Sequence, residues 1–316
     1  MAMPLVETKN LKKYFKTGAG MLHAVEDVNL KIMPGKTLGV VGESGCGKST
    51  LGRTILRLQP ATAGEVLYNG ENILKYKGKD MQKIHLTMQM VFQDPYSSLD
   101  PRMSVHNLIA EPVQVCGLLK TKAEINEHVR EIMDMCGLPA DQANLFPHEL
   151  DGGLRQRVGL ARAMAVSPKF IVCDEPVSAL DVSIQAQILN LLMDLQEQRE
   201  LSYMFITHDL CVVKHISDEI MVMYMGQVVE HAKTAELFAN PVHPYTKALL
   251  HAVPTIDLSK RNREGFMLRG EVTSPINPAP GCRFAPRCPY ATDKCKENVC
   301  LKEVSPDHFV ACSLCD

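Results

Sequence analysis

The chain has 316 residues, 46% apolar and 22% charged, and 34 Lys and Arg against 36 Asp and Glu leave a formal net charge of −2. This is ordinary globular composition, with room for a full α/β domain and a smaller appendage, and without the basic excess of a free-standing nucleic-acid binder. No stretch approaches the ~20 apolar residues of a membrane-crossing helix, and residues 1–10 lack the basic-then-apolar order of a leader, so a cytosolic chain is expected.

In chain order, Val25, Val28, Leu30 and Ile32 predict an antiparallel strand region, turned by Pro34 and Gly35. Residues 37–41 read as a buried strand running into a glycine-rich loop, followed by a helix from about Lys48 to Leu58. Strand, loop and helix in that order open a parallel α/β core. Residues 104–166 are helix-rich, with apolar positions recurring at Ile125, Val129, Ile132 and Met133. Strand patterns return at 170–173, 204–206 and 220–223, alternating with helices near 183–198 and 209–217. Proline, glycine and polar residues then dominate up to Gly281, which reads as a linker.

Eleven cysteines are many for a cytosolic chain, and six of them fall between Cys282 and Cys315. A reducing compartment argues against a disulfide framework there and leaves metal or iron–sulfur ligation as the natural alternative.

Gly42, Glu43, Ser44, Gly45, Cys46, Gly47, Lys48 and Ser49, with Thr50 following, fit the pattern G-x-x-x-x-G-K-[ST]. The glycines let backbone N–H groups turn inward around a phosphate, and the helix N-terminus adds its positive end. Lys48 is placed to bridge β- and γ-phosphates, and Ser49 to offer a hydroxyl to Mg²⁺.

Past this loop the chain resembles an ABC ATPase over about residues 5–232. The likeness implies an ABC-type P-loop nucleotide-binding domain with a RecA-like core, an antiparallel β subdomain and a helical subdomain at about 104–166. Asp174 would orient Mg²⁺, and Glu175 would polarise the attacking water as general base. Gln93 matches the glutamine loop, which contacts Mg²⁺ or the water and faces the membrane subunit. Residues 178–181 resemble the D-loop, and His208 matches the switch histidine that contacts the γ-phosphate. Phe15, with Tyr14 beside it, offers a flat face for adenine.

The family's Leu-Ser-Gly-Gly-Gln signature is altered here to Leu150, Asp151, Gly152, Gly153, Leu154. In the family this segment binds the γ-phosphate of ATP held by the opposite subunit. A serine hydroxyl donates to phosphate, whereas an ionised aspartate accepts only and sets negative charge against negative charge. Aspartate remains a good helix N-cap, so the fold need not suffer. The departure implies one weakened ATP site and a second, non-identical ATPase as partner.

Beyond residue 232, the run from Asn240 to Pro254 and the run from Gly270 to Pro289 resemble the tail of dipeptide/oligopeptide importer ATPases. That resemblance implies two transmembrane permease subunits, an extracytoplasmic substrate-binding protein, and a place at the cytoplasmic face of the inner membrane. Related nickel and glutathione importers, and soluble ABC ATPases, are the alternatives. Cys282, Cys288, Cys295 and Cys312 fit the family's cluster pattern, with [4Fe–4S], zinc or free thiols all open and Cys300 or Cys315 able to substitute. The expected organisation is an ATPase domain at 1–252, a linker at 253–281 and a cysteine-rich C-terminal extension at 282–316.

Overall fold

A computed structural model describes residues 3–252, 275–297 and 299–315. The chain divides into two units, one made of residues 1–32, 37–74 and 205–316, the other of 33–36 and 75–204. Most of the expected linker, 253–274, lies outside the described residues.

The first unit holds two sheets. β1 (Val6–Thr17) pairs antiparallel with β2 (Gly20–Ile32) and with β4 (Ala63–Tyr68), and β4 with the short β5 (Glu71–Asn72). Val25, Val28, Leu30 and Ile32 are buried along β2, the face that its apolar pattern predicts. In the second sheet β3 (Thr37–Val41), buried throughout, runs parallel to β9 (Glu219–Tyr224), and β9 pairs antiparallel with β10 (Gln227–Lys233). The sheet continues into the tail, where β11 (Lys302–Ser305) and β12 (His308–Val310) form a hairpin whose second strand pairs with β10.

α1 (Lys48–Ile55) follows β3 and stops three residues short of the predicted Leu58, because Arg57 turns left-handed at φ 56° and bonds Ile73 O at 2.7 Å. α8 (Leu210–Ile216), α9 (Thr234–Ala239) and α10 (Pro244–His251) complete the unit. Its core joins Val41, Val213, Val222 and Leu237 with Tyr224, Tyr245 and Phe284, so the tail contributes to the same apolar cluster as the central strands.

In the second unit β6 (Met88–Val91) runs parallel to β7 (Phe170–Asp174). α2 (Gly78–Thr87) leads into β6 and α3 (Pro95–Ser98) follows it. The predicted helical stretch becomes α4 (Val105–Val115), α5 (Lys122–Met135) and α6 (Gly152–Met164), three neighbouring helices along which Leu108, Ile109, Val129, Ile132, Met133 and Val158 are buried. α5 opens on a complete capping box, Thr121 with Glu124. α7 (Val182–Arg199) follows β7, and the strand β8 (Ser202–Thr207) contains the boundary between the units.

Candidate nucleotide site

The phosphate loop leaves β3 at Gly42, whose φ of 153° and lack of a side chain let it pass Met223 O, where a Cβ would sit only 2.2 Å away. Gly47 is left-handed at φ 106° and would meet Ala24 O at 2.1 Å. It is the N-cap of α1 and has no side chain with which to cap the helix. These two glycines satisfy close backbone approach. Gly45, at φ 78° with open space around it, is there for its turn alone.

Lys48 is buried, and its Nζ donates to Gly42 O at 2.7 Å and to Glu43 O at 3.1 Å, folding the ammonium back over the loop. Cys46 faces inward beside it, with Sγ 3.9 Å from that Nζ, and burial raises its thiol pKa. Ser44 and Gly45 are exposed at the tip, while Ser49 and Thr50 are half-buried on α1. His208 is exposed just past β8, where Asp209 caps α8 by accepting from Cys211 N at 2.7 Å.

The expected adenine platform is partly engaged. Tyr14 stacks on His23 with centroids 4.0 Å apart and gives its hydroxyl to Glu26, and Lys13 Nζ sits 4.5 Å over the ring of half-buried Phe15.

In the second unit, β6 and β7 align Val91 with Cys173, so residues two further along each strand emerge side by side. There Gln93 Nε2 donates to Glu175 Oε2 at 3.0 Å. Asp174 is fully buried at the strand end. Glu175 takes a left-handed backbone, φ 47°, a costly conformation for a side chain of its type and one that gathers at working sites.

The altered signature opens α6. Asp151 Oδ1 accepts from Leu154 N at 2.8 Å, the N-cap its chemistry predicts. A Cβ on Gly153 would fall 2.7 Å from Ile184 Cγ2, and one on Gly152 3.2 Å from Leu180 Cδ2, so Gly153 packs too closely on α7 for a side chain and Gly152 sits tightly against the 178–181 loop. Arg155 is buried, donates to Pro147 O at 2.6 Å and lies 3.9 Å over the Tyr96 ring.

The cysteine expectation needs correction. Among the described residues no group of three or more His, Cys, Asp or Glu side chains is gathered to hold a metal ion. Cys295 and Cys312 are within electrostatic reach of Cys282 and Cys288, but the thiols are otherwise occupied. Cys282 and Cys288 pack against the aromatic core as small apolar groups, and Cys295 Sγ meets Ser313 Oγ at 3.2 Å. Burial pushes the Cys282 thiol up to about 11. The described residues therefore give no support to a [4Fe–4S] or zinc site here.

Residue-by-residue reading missed the groups that hold the phosphate loop from outside. Glu43 N donates to Tyr245 OH at 2.8 Å, and its carboxylate receives Arg287 at 2.8 and 3.2 Å. These partners lie some two hundred residues along the chain, beyond any local pattern.

Strand, glycine-turned loop and helix with an inward lysine, and in the other unit an Asp-Glu strand end bonded to a glutamine, define a P-loop nucleotide-binding protein. The ABC transporter family model matches residues 25–178, and the model of the oligopeptide/dipeptide transporter C-terminal region matches 229–295. The oligopeptide transport ATP-binding protein OppF of Bacillus subtilis is 49% identical, with 99% of this chain and 97% of that protein covered. AppF of the same organism, also an oligopeptide transport ATP-binding protein, is 47% identical, covering 98% and 97%. Of solved structures, the dimeric post-hydrolysis state of the ATP-binding cassette MJ0796 bound to ADP and Pi matches with TM-score 0.67 and 30% identity, over 72% of this chain and 98% of that one. CbiO1 from Clostridium perfringens, part of the ABC transporter complex cbiONQ, matches with TM-score 0.67 and 26% identity, over 75% and 92%. The chain belongs to the ATP-binding proteins of ABC transporters, in the oligopeptide/dipeptide branch. It is an ATPase coupled to transport, and among its described residues no helix is long and apolar enough to cross a membrane.

Proposed function

We propose that the chain is the ATP-hydrolysing subunit of an importer of dipeptides or oligopeptides, acting at the cytoplasmic face of the membrane on two permease subunits served by an extracytoplasmic binding protein. The observation that carries the chemistry is Gln93 bonded to Glu175 at the paired strand ends. It supports Glu175 as the base that takes a proton from the attacking water, with Gln93 orienting it. Lys48 holds β- and γ-phosphate oxygens, helped by the inward N–H groups of the loop and by Gly42, Ser44, Gly45, Cys46, Gly47 and Thr50 around them. His208 contacts the γ-phosphate, and Phe15 offers a face to adenine. The hydroxyl of Ser49, the amide oxygen of Gln93 and the buried carboxylate of Asp174 are the hard oxygen donors that Mg²⁺ favours, and the bound ion would neutralise charge on the phosphates. Peptide cargo is supported by the match of residues 229–295 and by the relatives' names.

Asp151, Gly152 and Gly153 face the ATP of a second, non-identical ATPase in this reading. The Asp151 carboxylate spends one oxygen on the α6 cap and brings a negative charge where serine would donate, so that composite site is the weak one. Glu175→Gln in the assembled transporter is expected to abolish nearly all ATP turnover, and the equivalent change in the partner ATPase to cost far less. Equal losses would reject the asymmetry. Uptake of nickel or glutathione, but not of peptide, by reconstituted vesicles would reject the cargo.

A further inference from the structure

The phosphate loop contains a carboxylate. Glu43 lies directly after Gly42 in a loop built to hold a polyphosphate, and an uncompensated charge there would repel its ligand. The tail supplies the compensation. Arg287 forms a two-pronged pair with Glu43, Nη1 to Oε2 at 2.8 Å and Nη2 to Oε1 at 3.2 Å, with side chains only 7% and 25% exposed. Partly withdrawn from water, such a fork is both directional and weakly screened.

The rest of Glu43 is fixed as well. Its N–H donates to Tyr245 OH and its carbonyl accepts from Lys48 Nζ at 3.1 Å, so the residue that restrains the loop lysine is itself restrained by Arg287. Arg287 in turn is set by buried rings: Nη1 reaches Tyr224 OH at 3.4 Å, and Tyr224, Tyr245 and Phe284 meet edge-on or tilted with centroids 4.8 to 5.4 Å apart. Four residues earlier Arg283 grips the other side of the loop's footing, donating to Met225 O and to Glu26 Oε2 at 3.1 Å. The neighbouring Gly226 N–H donates to Cys46 O at 2.7 Å. One short segment of tail thus touches the first residue after the loop's opening glycine and the turn beneath its middle.

We propose that Arg287 is a positioning residue for nucleotide binding, its guanidinium fixing and neutralising Glu43 so that tail segment 282–288 sets the affinity of the phosphate loop for ATP. This rests on residues 42–49 being the ATP phosphate site.

Titration of the full-length chain with a fluorescent methylanthraniloyl ATP tests it. Arg287→Gln is expected to weaken binding about tenfold, the scale of one charge-assisted hydrogen bond, at temperatures where circular dichroism shows the variant folded. Because the two groups act as one, Glu43→Gln combined with Arg287→Gln is expected to bind no more weakly than Arg287→Gln alone. Wild-type affinity in folded Arg287→Gln, or a further loss in the double variant, overturns the proposal. Should Arg287→Gln not fold, Arg287→Lys keeps the charge without the fork and is expected to weaken ATP about threefold, and wild-type affinity there overturns the proposal equally. Lys48→Ala run alongside separates the two readings. If it binds normally the loop is not the ATP site; if it fails while Arg287→Gln binds normally, only the positioning role falls.

Discussion

Glu175 is held against its own preference. A left-handed backbone costs an ordinary residue about 1–2 kcal/mol, while glycine in the same place loses only about 0.5–1 kcal/mol of extra chain entropy. Glu175→Gly is therefore expected to leave stability unchanged or raise it by up to about 1 kcal/mol, while ATP turnover disappears. Denaturant unfolding beside an ATPase assay checks this, and a clear loss of stability would show that Glu175 is there for the fold. The phosphate loop was named from its motif and Asp174, Glu175 and Gln93 from a family resemblance, and each lies at or just past the end of a strand. Glu43 was visible only as a variable position in a motif. Its importance depends on Tyr245 and Arg287, which the fold brings from 202 and 244 residues away.

Among the elements, α6 and α10 show how a cap can carry chemistry. Asp151 caps α6 as the sequence predicts, while its change from serine alters what the helix end presents. α10 is capped by His243, whose Nδ1 accepts from Tyr245 N at 3.1 Å and must therefore be unprotonated. Burial, aided by the Lys247 charge, lowers its pKa from 6.5 to about 3. The unfolded chain thus takes up a proton that the folded one refuses. Stability from this group is complete above about pH 6.5 and drains away as pH falls towards 3. At pH 5 the loss is expected to reach about 2 kcal/mol, and His243→Asn, which retains an acceptor at the cap, should flatten the dependence. Denaturation curves at pH 7 and 5 measure it, and parallel behaviour of the two proteins would contradict it. The helices were readable from apolar spacing and caps, but α1 ends early at Arg57, where a tertiary bond to Ile73 O outweighs local propensity.

For the molecule as a whole, the tail is the part that sequence reading placed least well. Its cysteines suggested a self-contained cluster, whereas its described residues fall in the first unit. There Ile276 bridges to Leu22 of β2, β12 extends the sheet, and Phe284 enters the core. Spacing alone could not tell thiols that ligate from thiols that pack, since that difference lies in where the backbone docks. Removing residues 275–316 would bare the β10 edge and the rings of Tyr224 and Tyr245, and leave Glu230, fully buried, without His308. Leaving a buried acceptor one hydrogen bond short costs about 1–3 kcal/mol, and with the bared β10 edge the shortened chain is expected to aggregate or unfold at markedly lower denaturant. A shortened chain as stable as the full one would show the tail to be an ornament.

Glu230 also dictates an order of events during synthesis. Its carboxylate binds the N–H groups of Val242 and His243 at 2.8 and 2.9 Å, partners that leave the ribosome almost with it, but its bond to His308 spans 78 positions. Until that stretch has been translated, the nascent sheet carries a raw flank beside a carboxylate still awaiting its imidazole. The first unit is thus finished last, by residues far along the chain from the strand they close.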